Sequence, residues 1–163
     1  MKTLVVYYSH DGSTKLIADT VADTLCADII ELKPQKNIDA SGAKIVYWGL
    51  RQLITQPKPE LQPLEKNPDD YDLIVIGTPV WSYTYAPPLK TFFDEYKFLE
   101  KQIILFCCHG GQKAKTLENM KKALDGNVFV GDNDFFEPIK NDTERNIQKT
   151  IEWIKSLNNR LSM

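Results

Sequence analysis

The stretch Thr3-Leu4-Val5-Val6-Tyr7-Tyr8 runs directly into Ser9-His10-Asp11-Gly12-Ser13-Thr14-Lys15. Its first half reads as an apolar strand, its second as a small, hydroxyl-rich turn. Ile17, Val21 and Leu25 follow at helical spacing, with Ala18 and Ala22 beside them. A turn between a strand and a helix points backbone N–H groups at one spot, at the positive end of the helix, and that spot suits a phosphate. Ser9, Ser13 and Thr14 can donate O–H bonds, and Gly12 lets the backbone come close. An ordinary turn with a Ser/Thr cap looks the same over this segment alone. No Gly-x-Gly-x-x-Gly follows the strand, and no Gly-x-x-x-x-Gly-Lys-[Ser/Thr] occurs. The dinucleotide and P-loop fingerprints are therefore missing, and the cradle suits a terminal phosphate.

Outward from this unit, apolar runs alternate with helical patterns. Ala27–Leu32 reads as a second strand, Asp72–Gly77 as a third and Gln102–Cys107 as a fourth. Val128-Phe129-Val130 and Phe135-Phe136 form a fifth, interrupted at Gly131-Asp132-Asn133-Asp134. The central runs are apolar on both faces, as parallel strands covered on both sides require. Leu89, Phe92, Phe93 and Tyr96 mark one helix, Leu117, Met120 and Leu124 another. Ile147, Ile151, Ile154 and Leu161 mark the last, and Asn141-Asp142-Thr143-Glu144 has capping-box spacing before it. Ala43–Leu53 reads as a less regular helix. Pro57, Pro59, Pro63 and Pro68 then impose an extended connection. The pattern predicts an α/β doubly wound, five-stranded parallel sheet of order 2-1-3-4-5 with helices on both faces, in one domain over residues 1–163.

The formal net charge is −2, which gives no electrostatic case for nucleic acid or an anionic membrane. No stretch approaches a membrane span, and the N-terminus shows no signal-peptide pattern. Cys26, Cys107 and Cys108 have neither C-x-x-C nor zinc spacing. They read as buried, inert thiols of a cytoplasmic protein. His10 and His109 have no convincing third ligand, which argues against a metal.

Two further loops fall at the same end of the predicted sheet. Gly77-Thr78-Pro79-Val80-Trp81-Ser82-Tyr83-Thr84-Tyr85-Ala86-Pro87-Pro88 follows the third strand. Trp81, Tyr83 and Tyr85 offer flat surfaces for a planar ring, although one or more of them can simply pack over the sheet. The prolines stiffen the loop. Cys107-Cys108-His109-Gly110-Gly111-Gln112-Lys113 follows the fourth strand, where two glycines let backbone donors face a ligand. His109 reads either as a ring-edge residue or as an exposed loop histidine.

Phosphate donors, aromatics and glycines on three successive loops resemble the flavodoxin family, the type example of this strand order. The most specific matches are Ser9–Thr14 and Tyr71–Trp81, with Pro59–Leu64 similar to one subgroup. The resemblance covers essentially the whole chain and implies non-covalent FMN. It implies that Ser9, Asp11, Gly12, Ser13 and Thr14 surround the phosphate, Asp11 through its backbone only. It implies that Pro79, Val80, Trp81, Ser82 and Tyr83 line the isoalloxazine, with Cys108, His109, Gly110 and Gly111 at its pyrimidine side. Two departures stand out. His10-Asp11 and Ser13 replace the middle of the family's Ser/Thr-x-Thr-Gly-Asn-Thr loop, and an inward carboxylate there weakens phosphate binding. The stacking aromatic stays open among Trp81, Tyr83 and Tyr85.

Three functions follow as expectations. The first is an electron-transfer flavodoxin working between redox partner proteins. The second is an FMN-dependent NAD(P)H reductase of a quinone-like acceptor. The third is a cofactor-free binding module. Short length favours the shuttle, and near-balanced charge favours the reductase.

Overall fold

A computed structural model describes residues 1–36 and 58–161. The strands are β1 (Thr3–Tyr7), β2 (Asp28–Glu31), β3 (Leu73–Trp81), β4 (Thr84–Tyr85), β5 (Gln102–His109) and β6 (Val128–Phe136). The helices are α1 (Ser13–Leu25), α2 (Pro87–Glu95), α3 (Thr116–Ala123) and α4 (Thr143–Leu161). The helix expected over Ala43–Leu53, and Pro57, lie outside the described residues.

The sheet order is β2-β1-β3-β5-β6, all parallel, with short β4 folded back antiparallel on β3. Without β4 this is the expected 2-1-3-4-5. β1 and β3 lie side by side, Val5 opposite Val75 and Tyr7 opposite Gly77. Side chains alternate between two cores, because successive strand residues point to opposite faces. Leu4, Val6, Ile74, Ile76, Ile103 and Leu105 pack with Leu89 and Phe92 of α2 and Met120 of α3. Val5, Val75, Ile104 and Phe106 pack with Ile17 and Val21 of α1 and Ile154 and Leu157 of α4. Each face thus carries two described helices.

Several elements differ from the sequence expectation. β3 and β5 run on past the expected ends, to Trp81 and His109. β6 is one strand rather than two pieces. Phe129 pairs with Ile103 but Gly131 with Ile104, so Val130 is an inserted residue. Beyond this bulge the polar segment Gly131–Asp134 stays paired with β5, and the edge position lets its carboxylates face water and pair with lysines. Lys121 bonds Asp132 at 2.6 Å. The capping box is not formed. Asp142 caps α4, accepting from the Arg145 N–H at 3.1 Å, while Glu144 bonds forward to Gln148. Pro59 and Pro63 do lie in an extended connection that bridges Pro34 through Leu61, and Thr91 donates to the Pro59 carbonyl at 2.7 Å. Pro68 instead starts a short 3₁₀ turn, Pro68–Asp70, where its missing N–H costs nothing.

Gly77 sets the closest packing in the sheet. A Cβ placed there would lie 2.1 Å from the Phe106 ring. Gly77→Ala is expected to lower stability by about 1–3 kcal/mol through overpacking. Phe106→Leu in the same chain should recover part of that loss, because the two positions share one space. Urea denaturation checks both; additive losses would remove the proposed coupling.

Candidate ligand site at the carboxyl ends of the strands

The turn between β1 and α1 is built on Gly12, which sits at φ 91° as the residue before the helix. An L side chain is strained at that angle, and a Cβ would also meet Ile139 at 3.2 Å. The Gly12 carbonyl accepts the first helical bond, from the Leu16 N–H at 2.9 Å. Ser9 Oγ accepts the Lys15 N–H at 3.2 Å, which leaves its own O–H available. Thr14 is fully buried in the first turn, where its hydroxyl faces the Cys108 thiol and has no nitrogen or oxygen partner among the described residues.

Asp11 has more than a backbone role. Its Oδ1 accepts the Ser13 N–H at 2.9 Å. This is an Asx turn, in which the short side chain bonds the backbone two residues on. The carboxylate therefore takes one of the donors that the open end of α1 presents.

β3 leaves the sheet through Thr78, which is fully buried. Its hydroxyl accepts the Ala86 N–H at 3.0 Å and donates to the Pro79 carbonyl at 2.9 Å. That closes the β3–β4 hairpin onto the start of α2. Ser82 (φ 48°) and Tyr83 (φ 65°) form its two-residue turn between the paired Trp81 and Thr84. Left-handed backbone at both positions is what a type I′ hairpin demands, and without glycine it costs of order 1–3 kcal/mol per residue. The three aromatics separate. Tyr85 turns away to pack edge-on against Phe93, 5.3 Å between centroids. Trp81 is held edge-on by Tyr8 at 5.8 Å and His10 at 5.6 Å. Tyr83 projects from the tip, 65% exposed.

A cleft of about 240 Å³ lies between these loops. Asp11 lines it from the β1–α1 turn and Ser13 from the start of α1, Pro79, Val80 and Trp81 from β3, Cys108 and His109 from β5, and Gly110 from the loop that follows. An adjoining cavity of about 380 Å³ shares Val80, His109 and Gly110 and adds Ser82, Tyr83 and Gly111. Ser9 faces a different hollow, with Tyr8, Glu31 and Gln62. Gly12 and Thr14 line none of the three. At Gly111 a Cβ would meet nothing within 4 Å, and its φ is not positive. Neither packing nor backbone angle calls for glycine there.

Sequence reasoning missed His10, Gln112 and the turn after β6. Glu137, Pro138 and Lys140 line the main cleft. Lys140 pairs with Glu137 at 3.2 Å. The signal was available, since a crevice at strand carboxyl ends is lined by the loop after every neighbouring strand. His109 is not an exposed loop residue: its side chain is 8% exposed, and Nε2 lies 3.1 Å from Asp134 Oδ2. Lys113 holds the other oxygen at 2.9 Å. Burial pushes the Asp134 carboxyl up, but the bonds from Lys113 and His109 outweigh it and hold the group below the usual range. Among the described residues no cluster of His, Cys, Asp and Glu could hold a metal.

The fold defines a doubly wound α/β protein with a cleft at the switch point between β1 and β3. A sequence model described as Flavodoxin matches residues 2–154, and the chain belongs to the flavodoxin family. A Lactobacillus acidophilus flavoprotein solved in complex with FMN is 29% identical, with a TM-score of 0.72 over 88% of this chain and 99% of that one. An archaeal flavodoxin (15% identity, TM-score 0.64, 100% of both chains) shares the fold. So does the two-electron reduced flavodoxin of Megasphaera elsdenii (17%, TM-score 0.58, 93% of this chain and 97% of that one). No curated protein matches the sequence. No described helix is long and apolar enough to cross a membrane.

The cysteines divide in a way the sequence did not show. Cys107 and Cys108 are buried, but Cys26 is exposed at the left-handed end of α1 (φ 50°). Burial pushes the Cys107 thiol up to about 12 and the Cys108 thiol higher still. The folded protein is expected to release one equivalent of thiol to an Ellman reagent near pH 8, with the other two appearing only on unfolding. Rapid reaction of two or more would contradict the burial.

Proposed function

We propose that this protein binds FMN in the cleft and transfers electrons, working as a flavodoxin between redox partner proteins in the cytoplasm. The observation that carries the reading is the cleft itself, walled by Ser13 at the open end of α1, by Trp81 of β3 and by His109 of β5. Ser9, Ser13, Thr14 and the Gly12 backbone would hold the phosphate. Pro79, Val80, Trp81, Ser82 and Tyr83 would line the isoalloxazine, with Cys108, His109, Gly110 and Gly111 at its pyrimidine side. When bound, FMN supplies one- and two-electron chemistry, and the chain need supply no nucleophile. The chain's own work is to orient the ring, exclude water and set the charge around it. Trp81 is braced for this by Tyr8 and His10, and the half-buried apolar wall of Pro79, Val80 and Trp81 would shield one side of the ring from water.

One observation favours a second reading, a reductase of a quinone-like acceptor using NAD(P)H. The cavity edged by Ser82, Tyr83 and Gly111 has no carboxylate in its lining among the described residues and opens beside the main cleft. It has room for a small planar acceptor. The two readings separate in an anaerobic stepwise reduction of the FMN-loaded protein followed by visible absorption. A long-wavelength band that rises and falls around half reduction supports the carrier. Direct passage to the fully reduced spectrum supports the reductase, whose next assay is NAD(P)H with a quinone.

The phosphate loop gives a paired prediction. Thr14→Val should weaken FMN by about 1 kcal/mol, roughly fivefold, through one lost hydrogen bond. Asp11→Asn should strengthen it by a similar factor, because a neutral amide still accepts from Ser13 and no longer repels the phosphate. Fluorescence titration of FMN reads both, and unchanged affinity in Thr14→Val would move the phosphate elsewhere.

A further inference from the structure

We propose that His109 is the proton-carrying residue of the cleft: Asp134 fixes its tautomer, and Nδ1 takes up a solvent proton when negative charge forms on the ring bound beside it. The inference rests on the FMN reading. It begins with the geometry of the imidazole. His109 ends β5, and Asp134 lies on the neighbouring β6, opposite Cys107. The ionised carboxylate at 3.1 Å can only accept, so Nε2 carries the ring proton in the neutral form. Three other contacts remove the freedom to reorient. Lys113 holds the second carboxylate oxygen, Lys149 donates to the Asp134 carbonyl at 3.1 Å, and the ring packs against Phe136 at 5.8 Å.

That leaves Nδ1. It is buried and has no partner among the described residues. Its ring lines both the main cleft and the adjoining cavity. A neutral Nδ1 accepts a hydrogen bond; a protonated one donates. The same atom can therefore serve the ring in two charge states without moving the side chain.

The surrounding charges make the response follow the occupant. From β6, Asp134 faces the imidazole, and Lys113 from the loop after β5 offsets it. From α4, Lys149 reaches the same residue. The turn after β6 brings Glu137 and Lys140, already paired with each other. Across the cleft stand His10 and Asp11, while Pro79 and Val80 of β3 carry no charge. Asp132, farther along β6, is paired with Lys121. With these charges largely matched, a new charge on the bound ring is the change that His109 meets.

The step balances simply. Dithionite, the external donor in the experiment, would deliver two electrons to the bound ring, which would take one solvent proton and keep one negative charge. A second solvent proton would bond to Nδ1 while Nε2–H keeps its bond to Asp134, and reoxidation would return both protons to water and both electrons to the oxidant.

The test is ¹⁵N NMR of imidazole-labelled, FMN-loaded protein, oxidised and then reduced by dithionite, across pH. The sequence has only two histidines, so His10→Gln assigns the spectrum. The expected result is an Nε2–H tautomer when neutral, and a His109 midpoint that rises on reduction by about one pH unit, a tenfold change in proton affinity. An Nδ1–H tautomer, or a midpoint equal in both redox states, overturns the proposal. In Asp134→Asn the tautomer preference should weaken; if that variant does not fold, the wild-type spectra decide alone. His109→Gln, which keeps a polar group of similar size, should lose the matching bend in midpoint potential against pH. Visible absorption reports FMN loading separately. Protein that retains no FMN overturns the functional reading and this inference with it, whereas retained FMN with an unmoved His109 overturns only the proton carrier.

Discussion

The central strands are buried on both faces, and the rest of the molecule follows from that constraint. β1, β3 and β5 present apolar side chains to a helical layer on each side. A polar side chain placed mid-strand would have to leave water without a partner. The chemistry is therefore displaced to the carboxyl ends, where the chain leaves one strand for the helix that covers it. Because β2 and β3 flank β1 on opposite sides, the β1 and β3 loops diverge there and open a crevice. Gly77 belongs to the same constraint, since Phe106 fills the place its side chain would take.

Within the crevice, order comes from polar contacts beneath the ligand surface. Thr78 joins both ends of the hairpin, and the left-handed Ser82–Tyr83 turn is over-determined by that clasp and by the β3–β4 pairing. Charge is treated in the same way. Asp134 is matched by Lys113, Glu137 by Lys140, and Asp11 by a backbone N–H. Four buried side-chain atoms lack a nitrogen or oxygen partner among the described residues, and two of them, Thr14 Oγ1 and His109 Nδ1, lie at this end of the sheet, on the turn before α1 and at the end of β5.

Strand-forming runs were legible because two-sided burial writes itself as unbroken apolar sequence, as in Leu73–Ile76 or Ile103–Phe106. The positions of the three loops followed from element order, and the sheet order from the resemblance to the flavodoxin family. What stayed hidden depended on contacts between distant residues. Asp132 and Asp134 look like strand breakers until the bulge and the lysines that meet them are known. Tyr85 and Trp81 have similar sequence surroundings, and only Phe93 on one side and Tyr8 on the other tell them apart. The Asp11 carboxylate has two local options, outward to water or back to Ser13, and composition does not choose between them.

Cys26 adds a directional property. α1 starts at the crevice and crosses the sheet, so its last residue emerges at the far pole of the molecule. The accessible sulfur and the ligand cleft thus face opposite ways. A maleimide or gold anchor at that sulfur would immobilise the protein with its crevice outward, in a defined orientation on an electrode or sensor surface.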